Sequence, residues 1–223
     1  RPNSVITRYG DRFEYASPEE TPAMMSDLVN WYNDAEKSGR FTPVELAAIF
    51  HYRYIRIHPF EDGNGRIARL MANYILSRHG YPMVVVRSRK KNDYLEVLHR
   101  TDLTVGAAPS LGARASKREI QQFLTWFKNM YVEEVTYNIR FLTERGDNVW
   151  WFDGERIKFR SDSTSRILNL IYETPDITTQ RLSNEVGINM AAVNKHLKQL
   201  TDKGYIQRVA KNGTWRLVIT PSV

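Results

Sequence analysis

Between His58 and Arg69 the chain reads HPFEDGNGRIAR, and this stretch holds the side chains best suited to chemistry. A helix is expected to begin at Gly65-Arg66, and a helix N-terminus offers unpaired N–H groups and a partial positive charge to an anion. Gly63 and Gly65 let backbone approach a ligand closely and adopt positive φ, and Asn64 also tolerates the left-handed region. Arg66 and Arg69 lie three apart, on one face of the first helical turns, with an apolar stripe of Ile67, Leu70, Met71 and Tyr74 on the other. Two guanidiniums beside a backbone anion site suit two or three phosphates in a row. Asp62 adds a carboxylate fit for a Mg²⁺ that bridges phosphates, with water completing its shell. His58, four residues earlier, is placed to take a proton from an attacking hydroxyl as a neutral imidazole. Phe60 reads as a plug into the core and Glu61 as a solvated acid. A GxG alone is weak evidence. The convergence of base, acid, glycines and arginines points to phosphate binding and leaves the reaction open.

The elements around the loop are expected to be helices. Thr21-Pro22 and Thr42-Pro43 both read as an N-cap followed by Pro at the first helical position. Leu46, Ile49, Phe50, Tyr54 and Ile57 form an apolar stripe before the loop, and Ile67, Leu70, Met71, Tyr74 and Ile75 form another after it. Residues 4–15 alternate around Gly10-Asp11 as a hairpin, and MVVV at 83–86 is a short β-prone run. A helix is expected over 88–104. A small-residue loop follows, then a long helical pattern from Lys117 to about Arg145 that stops at Gly146-Asp147. Residues 148–163 switch to a hairpin around Asp153-Gly154. The rest runs helix, helix, turn, helix, then a hairpin turning at Asn212-Gly213, the order of a winged helix-turn-helix. The expected fold is mainly α: a helical domain over 1–147 with a small β flap, a connecting hairpin over 148–162, and a winged α+β domain over 163–223.

Composition narrows the classes. The chain has 223 residues, 42% of them apolar, enough for a real core and against disorder. It has no cysteine, which excludes disulfides and thiolate metal sites and suits a reducing compartment. No apolar run reaches a membrane span and no signal peptide is visible, so a cytoplasmic location without membrane contact is expected. The chain opens at Arg1 rather than a methionine, as expected of a fragment or processed protein. Net charge is +7, which favours polyanionic partners. There is no GxxxxGK(S/T) and no HExxH.

HPFEDGNGRIAR resembles the signature of the Fic family, HPFx(D/E)GNGRxxR, at every fixed position, and the resemblance extends over about residues 1–145. It implies transfer of AMP from ATP to a Ser, Thr or Tyr hydroxyl of a target protein or of the chain itself, with Mg²⁺ as cofactor. By that resemblance His58 is the general base and Asp62 the metal ligand. Gly63, Asn64 and Gly65 form the anion hole, Arg66 meets the phosphates and Arg69 the γ-phosphate. Phe60 pins the loop, and Tyr94 in NDYLEVL sits at the adenine-side wall or in the core. The hairpin at 4–15 resembles the family's flap, which docks a target segment by β-augmentation, with Arg12 and Phe13 lining it. Many members also carry an inhibitory (S/T)xxxE(G/N) helix. These residues contain no match, and TERG at 143–146 has the wrong spacing. The motif reads phosphates and not the base, so UMP, phosphate or phosphocholine transfer stays open beside AMP.

Residues 160–223 hold nine Lys/Arg and five Asp/Glu, net +4. Val193, Leu197 and Leu200 give the third helix of this module a core face. Asn189, Asn194, Lys195 and Lys198 then face outward as candidate DNA contacts, with Lys211 and Arg216 on the wing. A protein partner or a homodimer through the same module is the competing expectation. A DNA-binding regulator whose Fic-like part senses nucleotide is the alternative function, and an intact His58 weighs against it.

Overall fold

The computed structural model describes residues 4–6, 10, 12–144, 148–209 and 213–221. Thr42 opens α2 (Pro43–Ile57) with a capping box. Its Oγ1 accepts from the Glu45 N–H at 3.3 Å, and Glu45 Oε2 accepts from the Thr42 N–H at 3.1 Å. Two donors that helix geometry would leave unpaired are thereby satisfied, worth about 1 kcal/mol. The stripe from Leu46 to Ile57 is buried as expected, yet Ala47, Ala48, His51, Tyr52 and Arg56 are buried too. So α2 is enclosed on all sides and is the central helix of its unit, packed by α1 (Thr21–Ser38), α3 (Asn64–Arg78) and α5 (Pro109–Ala113).

Several local expectations change. Thr21 is already helical and does not cap α1. The capping box lies one turn earlier, where Ser17 and Glu20 exchange backbone-to-side-chain bonds at 3.1 and 3.2 Å. The expected apolar stripe of α3 holds in part: Ile75 is buried and Ile67 and Met71 pack against the core, while Leu70 is 67% and Tyr74 50% exposed. Its buried line is Asn64, Ala68, Ala72, Ile75 and Leu76, because the two small alanines let α3 approach α2 closely. MVVV forms no strand. The Asn73 side chain takes both backbone groups of Val84, at 2.9 Å each, so no β partner is needed there. A short 3-10 turn (Ser88–Lys90) leads into α4 (Lys91–Val105), and α5 occupies the expected small-residue loop.

The chain divides into two compact units, Arg1–Val135 and Thr136–Val223, with the boundary inside α6 (Gln121–Thr143). In the first unit β1 (Ser4–Ile6) pairs antiparallel with β2 (Arg12–Glu14), Val5 opposite Phe13. The expected turn residue Asp11 lies outside the described residues. Arg56, 1% exposed, bonds Asp102 at 3.0 Å and the carbonyls of Gly106, Ala107 and Ala108 at 2.8–3.2 Å. It thereby ties the end of α4 and the start of α5 to α2. In the second unit α7 (Asp162–Glu173), α8 (Thr179–Val186) and α9 (Met190–Asp202) enclose a core with the hairpin β5 (Ile206–Val209) and β6 (Thr214–Leu217). The hairpin β3 (Trp150–Phe152) and β4 (Glu155–Ile157) takes a third strand, β7 (Thr220–Pro221), against β3. Gly146, Asp147, Lys211 and Asn212, singled out above, lie outside the described residues. No helix among the described residues is long and apolar enough to cross a membrane.

Candidate active site

His58 ends α2 in the left-handed region, φ 55°, with its N–H bonded to the Tyr54 carbonyl at 3.0 Å. This turn swings the imidazole out of the helix. Its Nδ1 lies 3.3 Å from the Ile55 carbonyl. A carbonyl only accepts, so Nδ1 carries the proton and Nε2 keeps its lone pair, the tautomer a general base requires. Tyr15 stacks on the ring, centroids 3.9 Å apart and planes 8° from parallel. Burial lowers the His58 pKa below its ordinary 6.5, with the Ile55 carbonyl opposing. A bond from the Ala16 N–H to the Ile57 carbonyl, 3.2 Å, holds the segment carrying Tyr15 against the end of α2.

The loop that follows is closed by Asn64. This residue is 2% exposed and is helical, not left-handed. Its Oδ1 accepts from the Phe60 N–H at 3.0 Å and its Nδ2 donates to the Phe60 carbonyl at 2.5 Å. Phe60 itself is 54% exposed, so the expected core plug is not its ring; the Asn64 amide holds its backbone instead. Between Pro59 and Arg69 positive φ is confined to Gly63, at 86°, while Gly65 is helical. The first backbone bond of α3 runs from the Ile67 N–H to the Gly63 carbonyl, so the N–H groups of Asn64, Gly65 and Arg66 precede the helix's own acceptors. A Cβ on Gly65 would sit 3.3 Å from Arg69 Nη1, so the missing side chain leaves the guanidinium its place.

A cleft of about 490 Å³ opens beside this helix start, within the range of small-ligand sites. His58, Gly65, Arg69 and Tyr94 line it, together with Tyr15, Ile55, Val86, Arg87, Ser88, Lys91, Leu95 and Leu98. Of the residues singled out in sequence, the fold therefore gathers four. Arg66 and Arg69, three apart on α3, have different surroundings. Arg66 is exposed and pairs with Asp62 at 3.0 Å, while Arg69 is half-buried along the cleft wall. Asp62 also accepts from the Gly63 N–H at 2.6 Å. Among the described residues no cluster of three His, Asp or Glu could hold a metal by itself. One exposed carboxylate beside an anion-binding helix start does fit a Mg²⁺ whose other ligands are phosphate oxygens and water.

Phe13, expected on the docking face of the flap, is turned inward. It is 4% exposed, edge-on to His99 at 6.1 Å and under the Arg56 guanidinium at 5.6 Å. Phe13 therefore anchors the hairpin, because an aromatic ring gains more in the core than at the rim. Arg12 stays exposed, 3.7 Å from Glu14. Tyr94 is a core residue, 6% exposed, that also borders the cleft. Sequence reasoning missed Tyr15, Lys91, Leu95 and Leu98. Only the RSRKK run at 87–91 carried a signal, a basic cluster leading into α4.

In the second unit Asn194, Lys195 and Lys198 are exposed on α9, opposite buried Val193, Leu197 and Leu200. Asn189 is not free to read a base. It caps α9, its Oδ1 accepting from the Ala192 N–H at 2.8 Å.

A helical unit with a histidine lining a cleft beside a helix start is followed by a helix-turn-helix unit with a β hairpin. Residues 3–76 match the Fic/DOC family and residues 160–207 the winged helix-turn-helix DNA-binding family. The chain thus carries a region similar to the Fic/DOC family and, C-terminal to it, a region similar to winged helix-turn-helix proteins. It is 42% identical over 95 residues to the protein adenylyltransferase fic-1 of Caenorhabditis elegans, covering 43% of this chain and 18% of that protein. It is 40% identical over 86 residues to the protein adenylyltransferase Fic of Nematostella vectensis, covering 39% of this chain and 20% of the relative. The matched part is thus about a fifth of these relatives' length. Among solved structures, a Fic domain containing signaling protein from Bacteroides thetaiotaomicron is 54% identical, with a TM-score of 0.61 over 63% of this chain and 52% of that one.

Proposed function

We propose that the first unit transfers AMP from ATP to a hydroxyl side chain of a protein, in trans or on itself. The observation that carries this is the His58 imidazole, held with Nε2 unprotonated by the Ile55 carbonyl, lining the same cleft as Gly65 and Arg69. His58 takes the hydroxyl proton. The oxygen forms a bond to the α-phosphorus as the bond to the β-phosphate oxygen breaks, and pyrophosphate leaves. The N–H groups at the start of α3 and the arginines offset the negative charge on the phosphate oxygens. Asp62 is the residue that would hold Mg²⁺, which supplies charge neutralisation on the phosphates when bound. Tyr15 keeps the imidazole oriented. The flap backbone at β2 offers an edge to an extended target segment. UMP, phosphate or phosphocholine transfer would use the same phosphate contacts.

The test is incubation of the chain with α- or γ-labelled ATP and Mg²⁺, alone and in a lysate. Label retained on protein from the α position alone supports the reading, and label from the γ position alone overturns it. His58→Ala should abolish transfer and leave nucleotide binding within about twofold. For the second unit we propose DNA binding through α9, supported by the exposed Asn194, Lys195, Lys198 and Arg216. Absence of salt-dependent affinity for duplex DNA would refute it.

A further inference from the structure

Arg69 has two neighbours that the loop motif does not contain. One side of its chain borders the cleft of His58, and the other borders a void of about 20 Å³ shared with His51, Tyr94 and Trp126. The Tyr94 hydroxyl sits at 2.9 Å from His51 Nε2. His51 is 1% exposed, its ring edge-on to Tyr94 at 5.8 Å and within 5.5 Å of the Phe123 ring. Trp126 lies 5.5 Å from the Tyr94 ring. Burial pushes the Tyr94 phenol up to about 12, with the Arg69 charge and hydrogen bond opposing, and burial lowers the His51 imidazole, with the Arg69 charge adding to it.

The directions of these bonds follow from chemistry. A guanidinium only donates, so Tyr94 offers an oxygen lone pair to Arg69. With the His51 proton on Nδ1, Nε2 is unprotonated and accepts the Tyr94 O–H. Burial keeps it so, and the Arg69 charge works in the same sense. A protonated His51 would put a second cation beside Arg69 and leave the phenol without an acceptor. Tyr94 is 6% exposed, so little of its ring surface faces the cleft.

We infer that His51 and Tyr94 are positioning residues that hold the Arg69 guanidinium in the cleft wall, and so set the preference for a nucleoside triphosphate over a diphosphate. The inference rests on the transfer reading above, in which Arg69 meets the third phosphate. His51 lies on α2, Arg69 on α3 and Tyr94 on α4, so three helices meet at this arginine. The chain Nε2, hydroxyl, guanidinium fixes the rotamer of a long side chain that otherwise has several.

The experiment is titration calorimetry of the whole chain with ATP and with ADP, each with Mg²⁺, in a His58→Ala background so that nothing turns over. Tyr94→Phe keeps the ring packing and deletes only the hydroxyl. It should weaken ATP about tenfold, the size of one hydrogen bond to a charged group, and leave ADP within about twofold. In an Arg69→Ala background the same change should have no further effect on the ATP to ADP ratio. His51→Gln places a neutral acceptor near the Nε2 position and should retain the ratio, whereas His51→Leu should lose it. Equal weakening of ATP and ADP by Tyr94→Phe overturns the inference, because it marks a wall or a purely structural role. So does an unchanged ratio in that variant when Arg69→Ala abolishes the ratio. If Arg69→Ala itself leaves the ratio intact, the assignment of Arg69 to the third phosphate falls, and the inference with it.

Discussion

Replacing Asn64 by alanine should open the motif loop. The amide makes two bonds to the Phe60 backbone, 3.0 Å from its N–H and 2.5 Å to its carbonyl, from a position 2% exposed. Each neutral bond contributes about 1 kcal/mol net. Phe60 is largely exposed, so water recovers part of the loss, and the cost should fall at about 1–2 kcal/mol. For a chain of this size that lowers Tm by roughly 3–8 °C. Transfer activity should fall much further, about tenfold to a hundredfold, because the loop carries the anion cradle and its placement sets the reacting geometry. Asn64→Asp separates the two effects. Its carboxylate still accepts from the Phe60 N–H, and an acid at the start of α3 is favoured by the helix dipole, so the melt should recover part of the loss. The same charge lies in the anion site and should weaken ATP further than alanine does. The assays are thermal denaturation and transfer from α-labelled ATP. An alanine variant within 0.5 °C and twofold of the parent would refute this account of the loop, as would an aspartate variant that binds ATP as tightly as the alanine one.

Three further outcomes are expected. Activity should be lost as pH falls through the His58 pKa, which burial holds below 6.5; Tyr15→Ala exposes the ring, raises that pKa and moves the acid limb to higher pH, while Tyr15→Phe leaves the limb in place. Burial first, and then Arg69, lower the His51 pKa from 6.5 to about 3, so the unfolded chain binds the extra proton; this contribution to stability is complete above about 6.5 and lost progressively toward 3, and melts of His51→Gln against pH should be flatter over that window. Arg56→Met removes the buried cation from the half-buried Asp102 carboxylate, leaving it the Tyr52 hydroxyl, and should cost about 3 kcal/mol by denaturant titration, whereas Arg114→Met, at an exposed pair with Asp27, should cost under about 1.

The motif loop was legible because its chemistry is local. Glycines, an asparagine, an acid and arginines beside a helix start describe an anion site without any long-range information. The capping box of Thr42 and Glu45 was in reach for the same reason, and so was the order of elements in the winged helix. Periodicity was only partly right at α3, where Ile67, Met71 and Ile75 pack inward as expected but Leu70 and Tyr74 face out while Ala68 and Ala72 are buried. It misled at MVVV, where one side chain, Asn73, satisfies the backbone that would otherwise seek a strand.

By itself the sequence nominated residues able to touch phosphate or move a proton, since those capacities belong to residue type and short spacing. Only the tertiary structure decided their division. It turned Arg69 inward to Tyr94 and left Arg66 outside with Asp62. It gave the loop's closure to Asn64 instead of Phe60, sent Phe13 to the core, and brought Tyr15 onto His58 from the far side of two helix starts. Each of these rests on which face of a helix finds a neighbour, and that depends on side-chain volumes and buried polar partners contributed by segments distant along the chain.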